Sequence, residues 1–344
     1  MHFILVLNSY KKSMRKVIGI GETVYDIIFK NDTPIASVPG GSTFNAMISL
    51  GRTGVNTSFI SETGDDRIGR KIISFLDENG VNSDSVFVYP GTKSPLSLAF
   101  LNESNDAEYV FYKDHPNDRI DFTYPDIQEN DIVLFGSYYA INPVIRQQVA
   151  GFLEHARNRG AILYYDVNFR ASHEHEKIKL MSNIMENMEY ADIVRGSSED
   201  FAILYNKTDA EAIYKSQISF YTKKFIYTSG SAPVILKADG GFSKQYAVES
   251  ASTVSTIGAG DNFNAGILYA LLKYNIRHND IPALDEASVL WGKFIFAASL
   301  YARNLKEKRR AEEYVEFFKD AGLAFYMRYD LTLPVEENIK ANIV

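Results

Sequence analysis

Thr256-Ile257-Gly258-Ala259-Gly260-Asp261-Asn262-Phe263-Asn264-Ala265-Gly266 is the stretch that decides how this chain folds. Two glycines flank one alanine and permit a tight backbone path, and the run 263–272 that follows is mostly apolar and helix-compatible. The pattern predicts a glycine-rich turn that opens a helix. The first amides of a helix lack intrahelical acceptors, so such a start can hold a phosphate or a developing oxyanion. Asp261 stands at that start, where a carboxylate serves either as a cap or as a base. An ordinary capped helix satisfies the same pattern, so the turn acquires chemical meaning only from its neighbours.

Three other polar or glycine-rich stretches sit where an apolar strand gives way to a helix. They are 21–26, Gly40-Gly41 with Asn45, and Asp166-Val167-Asn168-Phe169-Arg170. In parallel α/β sheets that edge is where sites form. Gly19 and Gly21 do not begin a G-x-G-x-x-G that opens a helix, and no Gly-Lys-Ser/Thr follows Gly40-Gly41. These absences exclude a dinucleotide fingerprint and a Walker loop at those places.

Outward from these stretches the chain alternates. Strands are predicted at 16–20, 57–60, 132–135, 161–166, 193–194 and 225–228, with helices at 44–50, 68–79, 143–158, 174–188, 198–205 and 210–216. This rhythm predicts βαβ units and a mainly parallel sheet. Asp239-Gly240-Gly241 predicts a hairpin between 233–237 and 242–248. The rhythm breaks at 85–123, where short segments at 85–89, 96–102, 107–113 and 120–123 predict antiparallel strands of a small lid, joined by 26–38. Late helices are predicted at 284–304 and 306–322, and residues 1–15 read as an extension.

Composition narrows the partners. Apolar residues make up 46 % of the 344, enough for a large core. The net charge of −7 and the lack of a basic block argue against nucleic acid, and no segment is a membrane candidate. The absence of cysteine excludes disulfides and thiolate catalysis and fits a reducing, cytoplasmic setting.

Taken in order, these motifs resemble the ribokinase-like, or PfkB-type, carbohydrate kinase family over residues 16–305. Gly40-Gly41-Ser42-Thr43-Phe44-Asn45 is similar to that family's amino-proximal motif, and 255–263 to its carboxy-proximal signature. Gly64-Asp65-Asp66 through Gly69, Asp166 through Arg170 and Thr228-Ser229-Gly230 match in kind and order. The resemblance implies a three-layer αβα fold with a mainly parallel central sheet and a β lid built from about 26–39 and 85–125. Residues 306–344 then form a C-terminal helix and tail.

It also implies transfer of the γ-phosphoryl group of ATP to a sugar hydroxyl, with fructose or a related ketose closest in flavour. Ribose, a sugar phosphate or a nucleoside remain alternatives, as does a non-catalytic sugar- or nucleotide-binding regulator. By resemblance, Asp261 is the base and Gly258, Ala259 and Gly260 form the anion hole. Asp26, Gly40, Gly41, Asn45 and Arg170 bind the sugar, and Lys113 with Arg170 could anchor a phosphorylated one. Asp166, Asn168, Thr228 and Gly230, together with Gly258 and Gly260, face the nucleotide. Glu199 and Asp200 hold Mg²⁺ through water. Ser255 replaces the aspartate that often ligates a monovalent cation in relatives, which leaves that cation open. A homodimer formed through the lid is expected, since exposed strand edges need covering.

Overall fold

Val17–Ile20 (β1), an apolar strand with no exposed residue, lies inside a large sheet and fixes its direction. This computed structural model describes residues 15–102, 107–114, 124–247, 258–273 and 275–281. The strands that follow are β2 Val24–Lys30, β3 Thr33–Gly40, β4 Thr57–Gly64, β5 Val81–Asn82, β6 Val86–Tyr89, β7 Lys93–Leu101 and β8 Ala107–Asp114. Then come β9 Ile132–Gly136, β10 Ile162–Asp166, β11 Ile193–Ser197, β12 Lys224–Thr228, β13 Val234–Lys237 and β14 Ser243–Tyr246. The helices are α1 Ser42–Arg52, α2 Arg67–Glu78, α3 Ser137–Ile141, α4 Arg146–Asn158, α5 Lys177–Tyr190, α6 Ser198–Tyr205, α7 Ala210–Ile213 and α8 Ala259–Lys273.

The main sheet runs β14-β13-β12-β11-β10-β9-β1-β4-β5. From β12 to β5 all neighbours are parallel, and β13 and β14 add an antiparallel hairpin at one edge. That hairpin is the one expected around Asp239-Gly240-Gly241. Strand residues alternate between faces, and each face carries its own core. Val17, Phe59, Leu134 and Tyr164 pack with α1, α2 and α8 on one side. Ile18, Phe135, Tyr165 and Val194 pack with α4, α5 and α6 on the other. The result is the expected three-layer αβα arrangement.

A separate sheet of order β3-β2-β7-β8 forms the lid. β2 pairs antiparallel with β3 and parallel with β7, and β7 pairs antiparallel with β8. Two details differ from the sequence expectation. The β2–β7 pair is parallel, because these strands are joined through the main sheet and not by a hairpin. Residues 86–89 pair parallel with the far end of β4, where Val86 and Tyr89 are buried, instead of joining the lid. The strand expected at 120–123, the helices at 284–304 and 306–322, and Ser255 lie outside the described residues. Among the described residues, no helix is long and apolar enough to cross a membrane.

Candidate active site

Two glycine motifs meet at Asp261. Gly258 adopts φ +76°, and α8 starts directly after it. Across from it, Gly41 has φ +127°, and a side chain there would strike the Glu22 carbonyl oxygen, so only glycine turns the chain into α1. Ser42 and Asn45 occupy the first turn of α1, three apart and therefore on one face. Ser42 Oγ donates to Asp261 Oδ1 at 2.7 Å and Asn45 Nδ2 to Oδ2 at 2.8 Å. One turn further on, Ser49 Oγ donates to Asn262 Oδ1 at 2.7 Å and completes the docking of α1 on α8. Asp261 is buried, which raises its carboxyl above the usual range, while the Asn45 and Ser42 bonds and the charge of Arg170 pull it back. A desolvated carboxylate held in this way is a ready proton acceptor.

Asp26 on β2 lies near enough to Asp261 for their charges to interact. Its carboxyl is raised to about 6, chiefly by burial; the Ser97 hydroxyl bond opposes this, and Glu22 and Asp261 add to it. Gly40 has no side chain because Asp26 Oδ2 fills the space a Cβ would take. Lys113 on β8 donates to Glu22 Oε2 at 2.6 Å and lies over the Phe111 and Tyr138 rings, 5.6 and 5.8 Å from their centroids. This bond fastens the lid onto the loop after β1. It also occupies Lys113, which the sequence offered as an anchor for a phosphorylated sugar. Arg170 is exposed, with its charge felt at Asp261.

The ends of β10, β11 and β12 make the other flank. Asp166 is buried, and its carboxylate accepts from Arg195 Nη1 at 2.9 Å and from Asn264 Nδ2 at 2.8 Å. Tyr164 donates to Asn264 Oδ1 at 3.0 Å, and Arg195 Nη2 to Thr228 Oγ1 at 2.7 Å. Asp166, expected to face the nucleotide, therefore supports the site from inside, because both its oxygens are taken by protein groups. Asn168 turns the chain at φ +38°. Gly230, Gly240 and Gly241 have positive φ and open space where a side chain would be. Only Gly230 lies by Thr228, two residues beyond it, and leaves bare backbone there; Gly240 and Gly241 turn the chain at the opposite end of β12, because β13 runs antiparallel to it.

The metal expectation is corrected at Asp200. Its Oδ1 accepts from Phe169 N at 2.8 Å, and its Oδ2 from Ser197 N at 2.6 Å and Ser197 Oγ at 2.8 Å. Ser197 and Asp200 form a capping box on α6, so this buried acid satisfies backbone amides and is not free for a cation. Glu199 beside it is exposed. Among the described residues, no three His, Cys, Asp or Glu side chains converge as a metal cage. Sequence reasoning passed over Ser42, Arg195, Asn264, Ser97 and Glu22. Ser42, Asn264 and Glu22 sat inside quoted stretches without being singled out, and Arg195 and Ser97 lacked a local signal.

Comparison with known proteins bears on this geometry. The model of the pfkB family carbohydrate kinase matches residues 14–287. A probable chloroplastic fructokinase-6 of Arabidopsis thaliana is 25 % identical over 308 residues, covering 84 % of this chain and 77 % of that one. The 5-dehydro-2-deoxygluconokinase of Geobacillus thermodenitrificans is 26 % identical over 244 residues, covering 68 % and 72 %. The solved Vibrio cholerae fructokinase, in its form with fructose, ADP and calcium ion bound, superposes with a TM-score of 0.74 at 19 % identity, covering 88 % of this chain and 96 % of that one. The match of the family model over most of the chain places this protein in the pfkB family of carbohydrate kinases.

Proposed function

We propose that this carbohydrate kinase transfers the γ-phosphoryl group of ATP to a hydroxyl of fructose or a related ketose, with Asp261 as the base. The observation that carries this reading is the convergence of Ser42 and Asn45 on Asp261 at the start of α8. Asp26 accepts from sugar hydroxyls, with Gly40 leaving room for its carboxylate and Gly41 bringing bare backbone up to the sugar, and Asn45 lies between sugar and base. Asp261 takes the proton of the attacking hydroxyl. The amides of Gly258, Ala259 and Gly260 face the oxygens on which charge develops, which suits a transfer driven by positioning and electrostatics. Thr228 and Gly230 border the nucleotide.

Mg²⁺ would neutralise phosphate charge on ATP, and Glu199, the exposed acid of its pair, is the residue suited to hold it through water. Glu22 and Lys113 cancel each other's charge, which leaves the carboxylates of Asp26 and Asp261 against the cation of Arg170 on the sugar side. That balance favours an uncharged polyol over a sugar phosphate or a sugar acid. The lid fastened by Lys113 excludes water, which would otherwise consume ATP. Its outer strands pair with a second copy of the chain.

An ADP-release screen over fructose, other ketoses, ribose, fructose 6-phosphate, 5-dehydro-2-deoxygluconate and nucleosides tests the proposal. Turnover is expected on a neutral ketose, and D261A is expected to abolish it while calorimetry shows sugar affinity largely retained. No turnover on any acceptor, or near-normal turnover by D261A, would overturn the reading.

A further inference from the structure

Arg195 belongs to no motif of the proposed reaction, yet it is built into the centre of the site. It lies on β11 directly opposite Asp166 on β10, and it is 7 % exposed. One terminal nitrogen binds Asp166 and the other Thr228. Both lie 3.3 Å from the point where a side chain on Gly260 would begin, so the guanidinium packs directly against the first turn of α8. Its carbon lies 5.8 Å from the centroid of the Phe263 ring on the same helix. The third nitrogen, Nε, is buried without a hydrogen-bond partner.

This is a costly arrangement for a protein without a ligand. An unbonded buried donor is unfavourable, and a buried ion pair is weak evidence of a stabilising role. The charges of Asp166 and Asp200 hold the cation in place from behind, while the helix N-terminus on its other side carries positive potential of its own. Arginine cannot escape this repulsion by losing its proton. An anion against the same turn would relieve the repulsion on that side. In a desolvated setting a fixed charge there acts strongly on phosphoryl oxygens.

We propose that Arg195 is a positioning residue for phosphoryl transfer. It locks Thr228 and the Gly258–Gly260 turn into one unit, and it adds positive potential behind the amides that receive the transferring group. The proposal rests on the kinase reading above. It goes beyond that reading by giving part of the anion hole's strength to a side chain that touches neither substrate.

The test compares wild type with R195M, which keeps length without charge, and R195K, which keeps the charge and the Asp166 partner but loses the fork. Calorimetry measures the affinity for ADP and for ADP with aluminium fluoride, a planar anion mimic, each in the presence of fructose. For R195M we expect kcat to fall about 10²–10³-fold, the size of effect known for one lost oxyanion donor. Sugar KM and ADP affinity should stay within about threefold, while affinity for the aluminium fluoride complex falls in step with kcat. R195K should show the same selectivity at about tenfold, and it decides the matter alone if R195M does not fold. Equal loss of ADP and ADP–aluminium fluoride affinity, or undiminished turnover, would overturn the proposal and leave the kinase reading standing. A wild-type protein that releases no ADP with any sugar would overturn both.

Discussion

Replacing Asp26 with asparagine should stabilise the sugar-free protein while weakening its grip on sugar, and the gain in stability should depend on pH. The Asp26 carboxyl is raised from 3.8 to about 6, mainly by burial, with the Ser97 bond opposing and Glu22 and Asp261 adding. A carboxyl with a raised folded pKa is neutral and harmless in acid. As pH climbs from about 4 the unfolded chain releases this proton more readily than the folded one, so stability falls until the folded pKa is passed. The two-unit difference corresponds to about 3 kcal/mol when fully expressed, and water reaching the pocket reduces it to about 1–3 kcal/mol. For a chain of 344 residues, with an unfolding entropy of about 2.1 cal/mol/K per residue, that is roughly 1–4 °C in Tm. Asparagine retains an acceptor for Ser97 and fits the space left by Gly40. Thermal unfolding of D26N and wild type between pH 4.5 and 8 should therefore show the smallest difference at the acid end, about a third of the full effect, and a growing advantage for D26N up to about pH 7. Fructose affinity should fall about 10–100-fold, as expected for a lost charged hydrogen-bond partner. A pH-independent offset, or a lower Tm for D26N above pH 7, would refute the reasoning.

The Asn45 bond lowers the Asp261 carboxyl, so N45A should move the acid limb of the kcat–pH profile to higher pH; an unmoved limb would remove Asn45 from the control of the base. S197A should cost about 0.5–2 kcal/mol by breaking the capping box and leave Mg²⁺ dependence unchanged; altered Mg²⁺ dependence with unchanged stability would return Asp200 to the metal. Tyr109, Val110, Phe111 and Tyr112 are exposed on the edge strand of the lid, and V110D with Y112D should convert a sedimenting dimer to a monomer. A wild type that sediments as a monomer would refute pairing through this sheet.

What could be read from the sequence was what is written locally. Strand–turn–helix alternation, the turn glycines and the Asp239-Gly240-Gly241 hairpin are short-range signals, and each produced the element expected of it. The lid was readable because 26–38 and 96–113 lack helical spacing. What escaped depends on which strands become neighbours. Arg195 looks like any charged residue in a short strand until β10 lies beside it and brings Asp166 into register, 29 residues away. Asn264 faces Asp166 only because α8 crosses that strand end, 98 residues on. Asp200 shows the opposite failing. Ser197-x-x-Asp200 is a local capping signature, but a resemblance to acidic metal motifs pulled the expectation toward chemistry. Residues 86–89 form a short apolar run between turns, like a lid strand, and burial of Val86 and Tyr89 drew them to β4 instead.

Asp261, the proposed base, is held by Ser42 and Asn45, 219 and 216 positions earlier in the chain. During synthesis at about 5–20 residues per second, roughly ten to forty seconds separate the two halves of that hydrogen-bonded unit. A nascent chain holds Asp26 from the start of that interval and both lid hairpins once residue 114 is made, but not Asp261, the proposed proton acceptor. With Asp261 as the proposed base, translation would pass through no half-built, leaky enzyme: phosphorylating capacity would arrive only when the last partner emerges and docks. Proteolysis between residues 45 and 261, followed by separation of the pieces, would likewise leave silent fragments and not an uncoupled ATPase.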